Sequence, residues 1–294
     1  MLSILVPTYH YNVYPLALVL EEQSLALGID FEIIFLDDGS FSHLNVENQK
    51  INALANCKFI ESKKNHGRTA TRQQLAEMAQ YPWLLFLDAD TLPKHKNFIK
   101  RITAEFNSDI DAIFGGVIYE NNKPDKDNLL RWHYGTERES KSLTERNKSP
   151  YTSIISGSFA IKKDLFTATN KNLLQNAYGL DILFTQQLVQ MKIVVKHIDN
   201  PVYHLGLETN ADYLAKSKKA LDTLYQLKKT KVIPSNATKL LKSYHILNRI
   251  GLASTFGEIL KSNEEKIEQN LCGESPNLFL FDLYRLGYFC RIKS

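Results

Sequence analysis

The first third of the chain alternates short apolar runs with amphipathic stretches. Phe31–Leu36 (FEIIFL) and Trp83–Leu87 (WLLFL) are apolar, β-prone runs almost without polar alternation. Such a run predicts a strand buried on both faces, as in a parallel α/β sheet. Ser3–Val6 (SILV) reads as an earlier buried strand stopped by Pro7, and Cys57–Glu61 as a short one between them. The intervening segments carry helical spacing. Tyr14–Leu27 has Pro15 in its first turn, where proline is tolerated. Arg68–Gln80 places Leu75, Met78 and Ala79 on one side, and Lys96–Phe106 follows Pro93. Strand–helix alternation of this kind predicts a mostly parallel sheet flanked by helices.

The middle of the chain is less regular. Ala112–Tyr119 (AIFGGVIY) and Ser153–Ile161 (SIISGSFAI) read as strands whose glycines allow close backbone approach. Between them, Glu120–Tyr151 is polar and reads either as a loop or as a helix near an acceptor. Asp181–Met191 reads as a helix, and Ile193–His197 and Val202–His204 as strand pieces. After Thr209 the pattern is helical to the end. The expected organisation is an α/β domain over residues 1–208 and a helical extension over 209–294. The final run, Leu278–Phe289, is too short to cross a bilayer. It reads as a helix packed on the domain, with an in-plane membrane contact as the alternative.

Composition narrows the class. Hydrophobic residues at 44% and charged residues at 23% describe an ordinary globular protein. Cys57, Cys272 and Cys290 are far apart and form no CxxC pair, which argues against a zinc site or a disulfide framework. The opening MLSILVPTY lacks the basic and long apolar segments of a signal peptide, so a cytoplasmic location is expected. The net charge of +4 is unevenly placed. Between Asn210 and Ile250, nine Lys or Arg residues face only Asp212 and Asp222. A solvated helix face explains this, and so does an anionic partner such as the inner membrane face. No nucleic-acid-binding module accompanies the charge, so no nucleic acid is expected.

The candidate chemistry lies at the strand ends. The second strand terminates in Asp37-Asp38-Gly39-Ser40 and the fourth in Asp88-Ala89-Asp90. Ligands of open α/β sheets bind at the carboxyl ends of the strands. A D-x-D tip brings two oxygen donors together, which suits Mg²⁺ or Mn²⁺ bridging a diphosphate.

VPTY at Val6–Tyr9, LDDGS at Leu36–Ser40, N-x-G-x-x-x-x-R at Asn65–Arg72 and FLDAD at Phe86–Asp90 occur in this order. With GSF at Gly157–Phe159, YGLD at Tyr178–Asp181 and His204, the set resembles glycosyltransferase family 2 over about residues 1–208. The resemblance implies a GT-A fold, Rossmann-like and mostly parallel. It also implies a metal-dependent, inverting transfer of a sugar from a nucleotide-diphospho-sugar, with UDP the commonest nucleotide, in polysaccharide synthesis. Asp38 matches the residue that reads the base, Asp88 the one that faces the ribose, and Asp90 the metal ligand, with Ala89 between them. Pro7, Thr8 and Tyr9 share that rim; Tyr9 stacks on the base or is an ordinary turn residue. Arg72 resembles an arginine near the nucleotide, although a surface helix position would also explain it. Arg68 and His66 depart from the consensus and read as solvated.

Asp181 matches the base that takes the acceptor proton, with a helix cap as its competing role. Relatives carry a Glu-Asp pair where this chain has Leu180-Asp181, which leaves open a non-catalytic relative that binds nucleotide sugars or glycans. His204 resembles the histidine completing the metal shell, and imidazole suits Mn²⁺. Gly157, Ser158 and Tyr178 match the donor and acceptor pocket. A Q-x-x-R-W motif is missing, so one sugar per encounter is expected, onto a glycan or lipid-linked glycan. Trp132, His133 and Tyr134 read as sugar-stacking or core aromatics.

Overall fold

The computed structural model describes residues 1–154, 156–170 and 177–292. Ten strands are described: β1 (Leu2–Thr8), β2 (Phe31–Asp37), β3 (Cys57–Glu61), β4 (Trp83–Leu87), β5 (Thr91–Pro93), β6 (Ala112–Phe114), β7 (Val117–Ile118), β8 (Ser158–Lys162), β9 (Val195–His197) and β10 (Val202–His204). The helices of the first half are α1 (Tyr14–Leu25), α2 (Asn45–Asn48), α3 (Arg68–Met78), α4 (Phe98–Thr103), α5 (Leu129–Tyr134) and α6 (Leu143–Lys148). Those of the second half are α7 (Lys163–Asn170), α8 (Asp181–Gln190), α9 (Asn210–Lys229), α10 (Lys239–Arg249), α11 (Ala253–Ser262), α12 (Glu264–Leu271) and α13 (Leu278–Arg291).

The described residues form two compact units. One comprises 1–120, 139–176 and 187–206, and the other 121–138, 177–186 and 207–294. The division is not a single cut along the chain, because residues 121–138 and 177–186 count with the C-terminal helices. Leu130 shows why: it joins Leu214, Ile267, Leu271, Phe281 and Tyr284 in one buried cluster.

The first unit is built on a seven-stranded sheet in the order β3-β2-β1-β4-β8-β6-β9. The pairs β1–β2, β1–β4 and β2–β3 are parallel, as the apolar runs predict. Strand β8 is antiparallel to both β4 and β6. Every residue of β2 and of β4 is buried, with Phe35 and Phe86 fully so. Each such large apolar side chain contributes about 1.5–3 kcal/mol on burial.

A second sheet of three strands, β5-β10-β7, belongs to the same unit. The expected single strand Ala112–Tyr119 is in fact two strands in two sheets. Gly115 and Gly116 break it. A Cβ on Gly115 would lie 2.2 Å from the Asn200 carbonyl oxygen, and Gly116 has φ +91. The expected strand Ser153–Ile161 begins only at Ser158, and Ile155 lies outside the described residues. The polar stretch Glu120–Tyr151 holds the short helices α5 and α6, the latter opened by a Ser142–Glu145 capping box.

In the second unit, α9 is capped by the Thr209 hydroxyl and α13 by the Asn277 side chain. The apolar face of α13 is spent inside this unit. Phe281, Tyr284, Gly287 and Phe289 are buried, while Phe279 is exposed. Leu278–Phe289 is thus a packed helix, as expected, and these side chains are not left for the in-plane membrane contact that was the alternative. Among the described residues no helix is long and apolar enough to cross a membrane.

Candidate active site

The acidic tips of β2 and β4 lie at the carboxyl ends of the two strands that flank β1, each parallel to it, in the first unit. Their four carboxylates have different tasks. Asp37 accepts hydrogen bonds from the Ser40 backbone N–H at 2.9 Å and the Ser40 hydroxyl at 2.6 Å, so it closes the turn. Asp38 is buried and accepts from the backbone N–H groups of His66 and Gly67, each at 2.8 Å. The carboxylate thereby fixes the loop that leads into α3. Thr8, at the end of β1, accepts the Asp38 N–H on its carbonyl at 2.9 Å. Pro7 precedes it, and Tyr9 beyond the strand is 52% exposed, which leaves its ring open to a ligand.

Asp88 is held by two arginines. Arg72 Nη2 donates to Asp88 Oδ1 at 2.6 Å and to the Ser156 carbonyl at 2.9 Å. Arg68 Nη2 donates to Asp88 Oδ2 at 2.5 Å. Both arginines project from the start of α3, four residues apart and hence on one face. Arg72 is buried, so its surface-helix reading is set aside, and Arg68 is not simply solvated but part of the site. Burial alone would push the Asp88 carboxyl up, but Arg68, Arg72 and then His204 outweigh it and hold it below the usual carboxylate range.

Asp90 behaves oppositely. Burial is the largest influence on it, the neighbouring Asp88 charge adds to burial, and together they raise its carboxyl against the pull of His204 and Arg68. His204 Nε2 stands 3.5 Å from Asp90 Oδ2. This closeness follows from strand pairing: β10 runs antiparallel to β5, with His204 opposite Thr91. The Leu205 N–H then donates to the Asp90 carbonyl at 2.8 Å. Ala89 forms the turn between the two acids.

Two neighbours were not singled out by sequence reasoning. Tyr11 is near enough that, after burial, the charge of Asp90 raises its hydroxyl's pKa. Gly206 is the other: a Cβ there would lie 2.1 Å from Asp90 Oδ2. Gly157, by contrast, was expected, and its site lies 3.5 Å from Asp88 Oδ2. Its carbonyl accepts the Asp88 N–H at 3.0 Å. Ser158 is buried within β8 opposite Leu87.

Asp181 and Tyr178 belong to the second unit. Both are exposed. The Leu180 carbonyl accepts the Phe184 N–H at 3.0 Å, so Leu180 holds the capping place and Asp181 is the first residue of α8. The Asp181 side chain is therefore not spent as the cap. In the same unit Tyr134 packs on Tyr213 and Phe281, at ring distances of 5.8 and 5.7 Å, and is a core residue. Trp132 and His133 line a cavity of about 530 Å³ with Lys123, Leu129 and Pro276.

A search of curated proteins finds no match. Among solved structures, glucosyl-3-phosphoglycerate synthase from Mycobacterium tuberculosis, in complex with Mn²⁺, UDP and glucosyl-3-phosphoglycerate, superposes with a TM-score of 0.53. It is 14% identical, and the match covers 80% of this chain and 81% of that one. Mannosyl-3-phosphoglycerate synthase from Rubrobacter xylanophilus gives 12% identity and a TM-score of 0.53, covering 80% and 76% of the two chains. At such identities the likeness concerns the fold, which is GT-A. The family model for glycosyl transferase family 2 matches residues 3–168. That span carries the β1 rim, the Asp38 loop, both α3 arginines and the Asp88-Ala89-Asp90 tip, and the chain belongs to glycosyl transferase family 2.

Proposed function

We propose that this chain moves one sugar per encounter from a nucleotide-diphospho-sugar to a hydroxyl of a glycan or lipid-linked glycan, with inversion at the anomeric carbon. The observation that carries this reading is the Asp88-Ala89-Asp90 tip, where Arg68 and Arg72 grip one carboxylate and His204 stands 3.5 Å from the other, whose pKa burial raises. Asp88 is kept charged and oriented by Arg68 and Arg72, as a residue gripping a ribose hydroxyl requires. Asp90 faces the imidazole of His204, an oxygen and a nitrogen donor 3.5 Å apart. That donor pair fits a divalent cation of the Mn²⁺ or Mg²⁺ type, with Mn²⁺ favoured by the imidazole. Such an ion supplies the positive charge that makes a diphosphate a competent leaving group.

The remaining roles fall to this chain's own groups. Asp38, with the rim of Pro7, Thr8 and Tyr9, receives the nucleobase. Gly157 leaves room beside Asp88, and sugar-binding roles are assigned to Ser158 and, separately, to the exposed Tyr178. Asp181 takes the proton of the acceptor hydroxyl as that oxygen bonds to C1 and the bond from C1 to the diphosphate breaks. UDP is the expected nucleotide; it is the one in the complex of the mycobacterial glucosyl-3-phosphoglycerate synthase.

A thermal-shift screen of UDP, GDP and dTDP, each with and without Mn²⁺, tests the donor site, since a ligand of the native state raises its stability by mass action. One nucleotide giving a metal-dependent shift supports the reading, and no shift with any of them sinks it. Leu180 in place of the first acid favours one second reading, a non-catalytic binder. Turnover of the donor sugar that Asp181→Asn abolishes while nucleotide binding persists would exclude that reading.

A further inference from the structure

We propose that the corner formed by α10 and α11 docks on the surface of an anionic lipid bilayer. Residues 223–257 contain no Asp or Glu and carry six Lys or Arg residues. Nearer the start of α9 two of the basic residues are neutralised. Lys216 pairs with Glu208 at 2.7 Å, and Lys218 with Glu264 at 2.9 Å and Glu268 at 3.3 Å. Lys239, Lys242 and Arg249 are exposed, and no ion pair is described for them among the described residues.

These three cations share a face with apolar residues. At 3.6 residues per turn, Lys239, Lys242, Ile246, Arg249 and Ile250 fall in one sector about 100° wide. Ile246 is 64% exposed and Ile250 59%. The chain then turns at Gly251, which has φ +73 and open space where a Cβ would stand. Leu252 follows at 49% exposure, and Ile259, seven residues on and therefore on the same side of α11, at 54%.

The opposite faces of both helices are fixed on α13. Tyr244 of α10 meets Phe289 edge-to-face at 5.0 Å. A Cβ on Gly257 would lie 2.8 Å from Arg291 Cγ, and one on Gly287 would lie 2.6 Å from Leu260 Cβ. The helices are thus anchored from behind, and the isoleucines and leucine point elsewhere. Apolar side chains set in a mainly basic surround, with Glu258 beside Ile259 the exposed acid of α11, match a bilayer that offers acyl chains beneath anionic headgroups. A protein partner would need a surface both apolar and acidic. The inference does not depend on the transfer reaction.

The test is co-sedimentation of the full chain with phosphatidylcholine vesicles containing phosphatidylglycerol, against vesicles of phosphatidylcholine alone. The wild type is expected to bind the anionic vesicles only, and to be released at high salt. Ile246→Ser with Ile250→Ser, and separately Lys239→Gln, Lys242→Gln and Arg249→Gln together, are each expected to weaken binding at least tenfold. Lys63→Gln with Lys94→Gln, on the first unit, is expected to bind as wild type. Three results would overturn the proposal: no wild-type binding at low salt, variants that bind like wild type, or a wild-type dimer that the isoleucine pair converts to monomer. The last would mean that a second copy covers this face.

Discussion

Gly206 and Asp90 approach so closely that a single added carbon would displace the carboxylate: the Cβ of any other residue at 206 would lie 2.1 Å from Asp90 Oδ2. The backbone after β10 thus forms one wall of the proposed donor site. Gly206→Ala is therefore expected to push the Asp90 side chain away from His204 while leaving the sheet intact. Mn²⁺ affinity should fall at least tenfold with little change in the far-ultraviolet circular dichroism spectrum. Unchanged Mn²⁺ binding by isothermal titration would count against Asp90 as the ligand.

The two arginines on Asp88 are expected to differ in weight. The Arg72 side chain is 8% exposed and that of Arg68 47%. Removing Arg72 leaves a half-buried carboxylate short of its inner partner. Arg72→Gln should cost about 1–3 kcal/mol in stability, the range for stranding a buried polar partner. Arg68→Gln, at the exposed end, should change the unfolding midpoint little, because solvent screens that pair. Both variants should weaken nucleotide binding if Asp88 must be oriented to hold the ribose. Equal losses of stability in the two would contradict the burial argument.

The opposed carboxylates give a pH signature. Asp88 lies below its ordinary value, so its contribution to stability is present above the unfolded pKa and is lost as pH falls through the folded one. Asp90 is raised, so in the metal-free protein its contribution is present at low pH and is lost as pH rises through its folded pKa. A cation reverses the balance at Asp90 by taking the proton's place. The Mn²⁺-induced rise in unfolding temperature should therefore grow with pH through a midpoint above the usual carboxylate value of about 4. In Asp90→Asn both the rise and its pH dependence should vanish. A pH-independent shift in the wild type would show that Asp90 is not the titrating ligand.

Gly115 makes a different prediction, one about folding. Its Cβ would meet the Asn200 carbonyl oxygen at 2.2 Å, and that backbone is tied back by Asn200 N–H to the Gly115 carbonyl at 3.2 Å. Gly115→Ala should destabilise the protein by about 1–3 kcal/mol, as overpacking does in a site that cannot relax. Gly28→Ala is a useful contrast: φ is +61 there, but nothing stands within 4 Å. Its cost should come from the backbone alone, and denaturant titration of the two variants separates the effects.

Much of this was legible in the sequence because burial on both faces leaves a compositional trace. WLLFL is apolar throughout and FEIIFL is apolar but for Glu32, and their acidic ends mark where the sheet meets solvent. What could not be read depends on contacts far apart along the chain. Arg68 looked solvated because its partner, Asp88, lies twenty positions away, just past the end of β4. Gly206 carries no local signal, since what constrains it is a carboxylate more than a hundred positions earlier. AIFGGVIY has the composition of one strand, and only the carbonyl of Asn200 reveals that the chain must change sheets there. The aromatic end of α13 was ambiguous for a related reason: hydropathy alone does not say whether a partner for an apolar face is another helix or a lipid.

The pairing of β5 with β10 sets His204 opposite Thr91, the residue directly after Asp90. The distance between the two donors is thus a matter of ladder frame, not of side-chain reach. The hundred or so positions between those strands could lengthen or shorten among relatives without disturbing it. One residue gained or lost within Thr91–Pro93 or Val202–His204 would instead bring Tyr203 or Leu205 into line and turn the imidazole to the other face of the sheet.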